Sequence, residues 1–221
     1  NRIEAHQSGG KILSFDEEHI IFTTGDYRNR YRAQDLNFDD GKILKINLNT
    51  KKKQVMAIGS RNSQGILIDK SKNIALFTEH GPMGGDEINL LNLNNEKIQN
   101  FGWPVASYGE HYGGKKEPKN KKKYEKYPLS KSHKKHGFIE PIKYFKKSPA
   151  MSEIIKIDEN NYLATSMKYK SFYPFTLTNE NSIKDIEKIT IGERIRDTIF
   201  HDEKIYLFLE DTASIAILKK K

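Results

Sequence analysis

Short runs of apolar residues broken by polar turns dominate this chain, and long helical stripes are absent. Residues 64–69 and 73–78 are two such runs, separated by Asp69-Lys70-Ser71-Lys72, a composition suited to a hairpin turn. The same pattern recurs at 11–15 and 19–24, at 42–47 and 54–58, at 153–157 and 162–166, at 172–177 and 186–189, and in a final series at 195–200, 204–209 and 214–218. No apolar period of 3.6 residues persists over a dozen positions. About fourteen strands at roughly ten-residue spacing, joined by Asp, Asn, Lys and Gly turns, predict an all-β fold. In Ile205-Tyr206-Leu207-Phe208-Leu209 both alternating faces are apolar, which predicts a strand covered on both sides, as in the stacked blades of a propeller. At about four strands per blade, this amounts to three or four blades in one domain spanning the chain.

Three connections break the rhythm. Residues 25–40 form a polar link. Residues 79–87, Glu-His-Gly-Pro-Met-Gly-Gly-Asp-Glu, intersperse glycines and a proline with carboxylates and an imidazole. Such a loop lets backbone approach a ligand closely and offers carbonyl and carboxylate oxygens to a hard cation such as Ca2+, although the same composition also suits a polar turn. From Val105 to Lys147 regularity is lost, and a Lys-rich insert at about 113–137 interleaves lysines with Tyr124 and Tyr127. That insert reads as a solvated loop; nucleic-acid binding through it is the less favoured reading.

Composition changes the picture in two ways. The net charge of +9 comes from 38 basic residues, of which 31 are lysine and 7 arginine, against 29 acidic ones. Phosphate-reading surfaces lean on arginine, so the lysines read as solvated exterior and the few arginines gain weight. Arg61, Arg194 and Arg196 fall inside motif-like segments. The chain has no cysteine, which excludes disulfides, thiolate zinc sites and cysteine nucleophiles. No apolar run reaches the length of a membrane span.

Nine segments together carry a family resemblance: His6-Gln7-Ser8-Gly9-Gly10, Thr24-Gly25-Asp26, Ala33-Gln34-Asp35, Gly41-Lys42-Ile43-Leu44, Arg61-Asn62-Ser63-Gln64-Gly65, residues 79–89, Phe101-Gly102-Trp103-Pro104, Met167-Lys168 and Arg194-Ile195-Arg196-Asp197. In this order they resemble the soluble quinoprotein sugar dehydrogenases, the glucose/sorbosone dehydrogenase family, and most closely its aldose sugar dehydrogenase branch.

The resemblance implies a six-bladed β-propeller, of which about four blades are present here, with pyrroloquinoline quinone (PQQ) near the axis. It implies oxidation of an aldose at C1 to the lactone, passing electrons on to a quinone or cytochrome, in a periplasmic or secreted protein. His6 matches the general base. Arg61 and Asn62 match residues that contact the cofactor and polarise its quinone oxygen, with Gln7 beside them. Lys168, Arg194 and Arg196 match the cations that hold the PQQ carboxylates, and Tyr112 matches a cofactor-contacting tyrosine. For Ca2+, the resemblance implies the carbonyls of Gly81 and Pro82 in one branch, and Glu87 with the carbonyl of Phe101 in the other. The family's first blades precede the His-Gln motif, so about two blades are expected upstream of Asn1, and the insert replaces a region that shapes the sugar entrance. A non-catalytic propeller serving as a binding module is the alternative from a different functional class.

Overall fold

The structure, a computed structural model, describes residues 6–219. Four sheets succeed one another along the chain. The first is an antiparallel meander of β1 (Gly9–Ser14), β2 (His19–Thr24), β3 (Lys42–Asn47) and β4 (Lys53–Ile58). The second begins with β5 (Ser63–Asp69), β6 (Ile74–Glu79) and β7 (Asp86–Asn92). The chain then returns to the first sheet through β8 (Gln99–Asn100), which pairs parallel with β4. Next, β9 (Lys143–Phe145) completes the second sheet beside β7. In the third sheet β10 (Met151–Lys156), β11 (Asn161–Ser166) and β12 (Ser171–Leu177) run antiparallel, and the two-residue strands β13 (Ile183–Lys184) and β14 (Ile189–Thr190) both pair with β12. The fourth contains β15 (Ile195–His201), β16 (Lys204–Leu209) and β17 (Ser214–Lys219). Each sheet is one blade of a β-propeller.

Period-two alternation explains how the blades stack. Every residue of β6 is buried. Ala75 and Phe77 pack toward the first blade with Ile21, Ile43 and Ala57, whereas Ile74 and Leu76 pack toward the third with Met151, Ile154 and Tyr162. Truncating a fully buried leucine of this kind costs about 2–5 kcal/mol. A third interface, around Leu163, Phe172, Ile195 and Leu207, joins the third and fourth blades. A polar clasp adds to the second: Asp69 accepts from the Tyr162 hydroxyl at 2.6 Å and faces the Lys156 ammonium at 2.8 Å. Burial would raise this carboxyl, but hydrogen bonds from Lys156, Ser71 and Tyr162 hold it down to about 2.

One expectation is met in part and another needs correction. Among the described residues β16 is covered on one side only. Leu207 is fully buried against the third blade, but Tyr206 and Phe208 pair with Ile217 and Ile215 on the opposite face, where those isoleucines are 51% and 56% exposed. The alternation was legible, and the third blade supplies the neighbour on the Leu207 face. The Lys-rich insert, in turn, is more than a solvated loop. It contains two 3-10 turns and one helix, α1 (Lys121–Lys126), and its lysines face outward while Asn120, Leu129 and His133 are buried. Leu129 and Tyr124 pack on Ala33 and Trp103, apolar contacts too sparse in sequence to stand out among lysines.

Candidate functional site

The innermost ends of the first three blades and the glycine-rich loop enclose a cleft of about 770 Å³. His6, Gln7, Arg61, Asn62, Gly81, Pro82, Tyr112 and Lys168 all line it. Segments far apart in the chain thus meet at one place. The lining omits four other residues singled out from the sequence: Glu87 and Phe101, both buried behind it, and Arg194 and Arg196, at the start of the fourth blade.

The floor is built from β-strand ends. Arg61 lies two residues before the start of β5 and is only 4% exposed. Its Nη1 donates to the His80 carbonyl at 2.8 Å, and its guanidinium lies 5.3 Å from the centre of the Trp103 ring. Its backbone N–H donates to Glu79 Oε1 at 2.8 Å, and burial pushes that carboxyl up to about 7 despite hydrogen bonds from Ser60 and Arg61. Asn62 is oriented by the Gly9 N–H, which donates to its Oδ1 at 3.1 Å. The His80 ring is also tied down. Its Nε2 lies 2.6 Å from the Met151 carbonyl and therefore carries the proton, leaving Nδ1 to accept from the Asn62 amide at 3.3 Å.

Asp26, which the sequence reading left inside a motif without a role, organises this floor. It is fully buried, accepts from Trp103 Nε1 at 2.8 Å and from the Arg28 N–H at 2.9 Å, and lies under the field of Arg61. Burial raises its pKa against those stabilising partners. With its amide nitrogen toward Asp26, Gln7 donates to Oδ1 at 2.6 Å and accepts from Arg61 Nη2 at 2.9 Å. Its signal in the sequence was faint: an acidic residue after Thr-Gly at a strand end, with an indole partner 77 residues away.

The glycine-rich loop forms one wall. A side chain at Gly81 would put its Cβ 2.3 Å from the Gly84 carbonyl, and one at Gly85, where φ is +71°, would meet the Gly109 amide at 2.1 Å, so both positions require glycine. Asp86 braces the loop from below, accepting from the Gly81 N–H at 3.0 Å and the Ala150 N–H at 2.7 Å. Among the described residues no hydrogen bond occupies the Gly81 or Pro82 carbonyl, leaving both oxygens open to a hard cation. Glu87 is 5% exposed; burial, then the charge of Glu79, raises its pKa well above the usual carboxylate range. Asn89 Nδ2 donates to it at 3.1 Å, while Asn89 Oδ1 is buried without a hydrogen-bond partner.

Arg194 and Arg196 share one counter-ion. Arg194 Nε lies 3.2 Å and Arg196 Nη2 2.7 Å from Glu210 Oε2, on a half-exposed surface. Arg194 also reaches Met167, next to Lys168, with Nη2 3.8 Å from the sulfur. The pair is thus adjacent to the cleft through the Met167-Lys168 turn.

The Glucose / Sorbosone dehydrogenase family profile matches residues 1–219. The chain belongs to that family. Within it, the chain is similar to the aldose sugar dehydrogenase YliI of Escherichia coli (strain K12), at 26% identity over 96% of this chain and 59% of the relative. Among solved structures, the soluble aldose sugar dehydrogenase of E. coli in its apo-form superposes with a TM-score of 0.79 at 24% identity, covering 95% of this chain and 62% of that one. The PQQ-bound form of the aldose sugar dehydrogenase from Streptomyces coelicolor superposes at 0.71 with 21% identity, covering 93% and 57%. The chain spans about six tenths of the length of these relatives. No helix among the described residues is long and apolar enough to cross a membrane.

Proposed function

We propose that this glucose/sorbosone dehydrogenase family member acts in a PQQ-dependent dehydrogenase that oxidises an aldose at C1 to the lactone. The observation that supports this reading is the convergence on one cleft of an imidazole, a buried guanidinium, a lysine and two free carbonyls from segments spread over the chain. The donor set suits the cofactor. PQQ is a planar tricarboxylate quinone, and no carboxylate within 4 Å neutralises Arg61 or Lys168 among the described residues. The open carbonyls of Gly81 and Pro82 likewise suit Ca2+; at Glu87 the orphaned Asn89 oxygen suits a second cation.

When bound, PQQ supplies the two-electron acceptor that protein side chains lack. His6 stands in the cleft to take the proton of the sugar C1 hydroxyl. Arg61, fixed by Gln7, His80 and Trp103, offers a guanidinium edge to a developing oxyanion at little reorganisation cost. Asn62 orients the same oxygen, Lys168 meets a carboxylate, and Tyr112, 61% exposed, forms a wall at the mouth. A quinone or cytochrome acceptor and an extracytoplasmic location belong to the same proposal.

In the full-length protein loaded with PQQ and Ca2+, His6→Ala is expected to lower kcat/KM for aldose-driven reduction of an artificial acceptor at least about 100-fold, with PQQ affinity retained. Wild-type protein that binds PQQ yet reduces no acceptor with any aldose would overturn the enzymatic reading. Calorimetric titration giving no heat with PQQ would favour a cofactor-free binding module instead.

A further inference from the structure

His133 belongs to the Lys-rich insert, yet it is 1% exposed and its ring lies beside Glu87. Its Nδ1 is 3.3 Å from the Ile139 carbonyl, an acceptor only, so the proton of the neutral ring is on Nδ1. The Nε2 lone pair then faces Glu87 Oε1 at 3.7 Å with no hydrogen-bond partner. A buried imidazole lone pair without a partner thus lies beside a carboxyl oxygen, an arrangement that a cation bound between the two would satisfy. The separation exceeds that of a hydrogen bond, about 2.7–3.2 Å. It suits two ligands of one cation, since a metal about 2.1 Å from each places tetrahedral ligands about 3.4 Å apart.

The surroundings match. A metal-bound imidazole characteristically donates its other N–H to a carbonyl, as His133 does to Ile139. The ring is stacked on Tyr108 with centroids 5.4 Å apart, and Tyr108 is stacked on Tyr144 at 3.7 Å, which fixes its plane. On the carboxylate side, Asn89 holds Glu87 through its amide nitrogen, and its own Oδ1 is the second buried orphan. No three His, Cys, Asp or Glu side chains converge among the described residues, so the remaining bonds come from amide or carbonyl oxygens and water.

We propose that Glu87 and His133 hold a borderline divalent cation of the zinc type, in preference to the oxygen-loving Ca2+ that the family resemblance puts at Glu87. Imidazole nitrogen selects for such ions, whereas Ca2+ takes oxygen ligands. The insert is thereby pinned to the second blade by a metal bond. This inference is independent of sugar oxidation and is tested without measuring turnover.

Chelator-treated full-length protein is dialysed against equimolar ZnCl2 and CaCl2, and bound metal is measured by mass spectrometry. One Zn2+ per chain is expected, with affinity at least tenfold above that for Ca2+ at this site. His133→Ala is expected to lose the Zn2+ and retain Ca2+ at Gly81 and Pro82, while His136→Ala, an exposed histidine of the same turn, keeps the Zn2+. Trypsin cleavage after Lys134 and Lys135 should slow at least tenfold on adding Zn2+ to wild type and be unaffected in His133→Ala. X-ray absorption of the zinc-loaded wild type, which needs no variant, should show an imidazole nitrogen. An all-oxygen shell, Zn2+ binding unchanged in His133→Ala, or replacement of the Zn2+ by equimolar Ca2+ would each overturn the proposal.

Discussion

Arg61 and the Arg194–Arg196 pair carry the same charge, but the fold treats them differently. Arg61 is buried, spread over an indole and hydrogen-bonded to a carbonyl and an amide, with Asp26 and Glu79 in its field but no carboxylate within 4 Å of its guanidinium among the described residues. Arg194 and Arg196 are half-exposed and both lean on Glu210. The first is a preorganised charge whose desolvation was settled when the chain folded, so an arriving anion meets a donor that need not move. The second is a charge kept with a removable counter-ion, and an incoming carboxylate must displace Glu210. Preorganisation yields affinity; a resident counter-ion yields solubility and a weaker, exchangeable contact.

The contrast ranks the consequences of substitution. Arg61→Ala should weaken PQQ binding by calorimetry about 100-fold, near 2.7 kcal/mol; a loss equal to that of Arg196→Ala would erase the distinction between the two regions. A buried carboxylate makes the same point about fixed charge. Asp69 ionises at about 2 in the folded chain against 3.8 unfolded, so its contribution of about 2 kcal/mol is complete above pH 3.8 and lost as pH falls through 2. Acid unfolding followed by circular dichroism should accordingly be steep in that window in wild type and flatter in Asp69→Asn. Arg196→Ala should lower PQQ affinity about tenfold, near 1.4 kcal/mol, without changing the thermal midpoint. Glu210→Gln should raise affinity roughly two- to fivefold at low salt, the size of an exposed ion pair; an unchanged or weaker affinity would mean that Glu210 is not a competitor.

How far the sequence revealed this arrangement depends on the range of the interaction. Hairpins such as β5–β6 were legible because alternation and turn residues are local. The glycine loop was legible too, since Gly81 and Gly85 sit where a Cβ would collide with backbone. The parallel return of β8 to β4 was not, because two residues carry no periodicity. Nor could spacing reveal that Asp26 meets Trp103 or that His133 reaches Glu87 across 46 positions; both contacts arise when blade ends and an insert are folded onto one another. The catalytic and cofactor roles of the cleft residues rested on family resemblance. The structure adds their common location for the cleft-lining set, and a different environment for the two outlying arginines.

Trp103 is the only tryptophan in the chain, and its ring lies 5.0 Å from the Arg30 guanidinium and 5.3 Å from that of Arg61, with its N–H on Asp26. The whole indole emission of these 221 residues therefore originates beneath the cleft. Any ligand that draws Arg61 upward or brings a conjugated ring nearby will alter that single signal, giving an intrinsic optical readout of occupancy that needs no label.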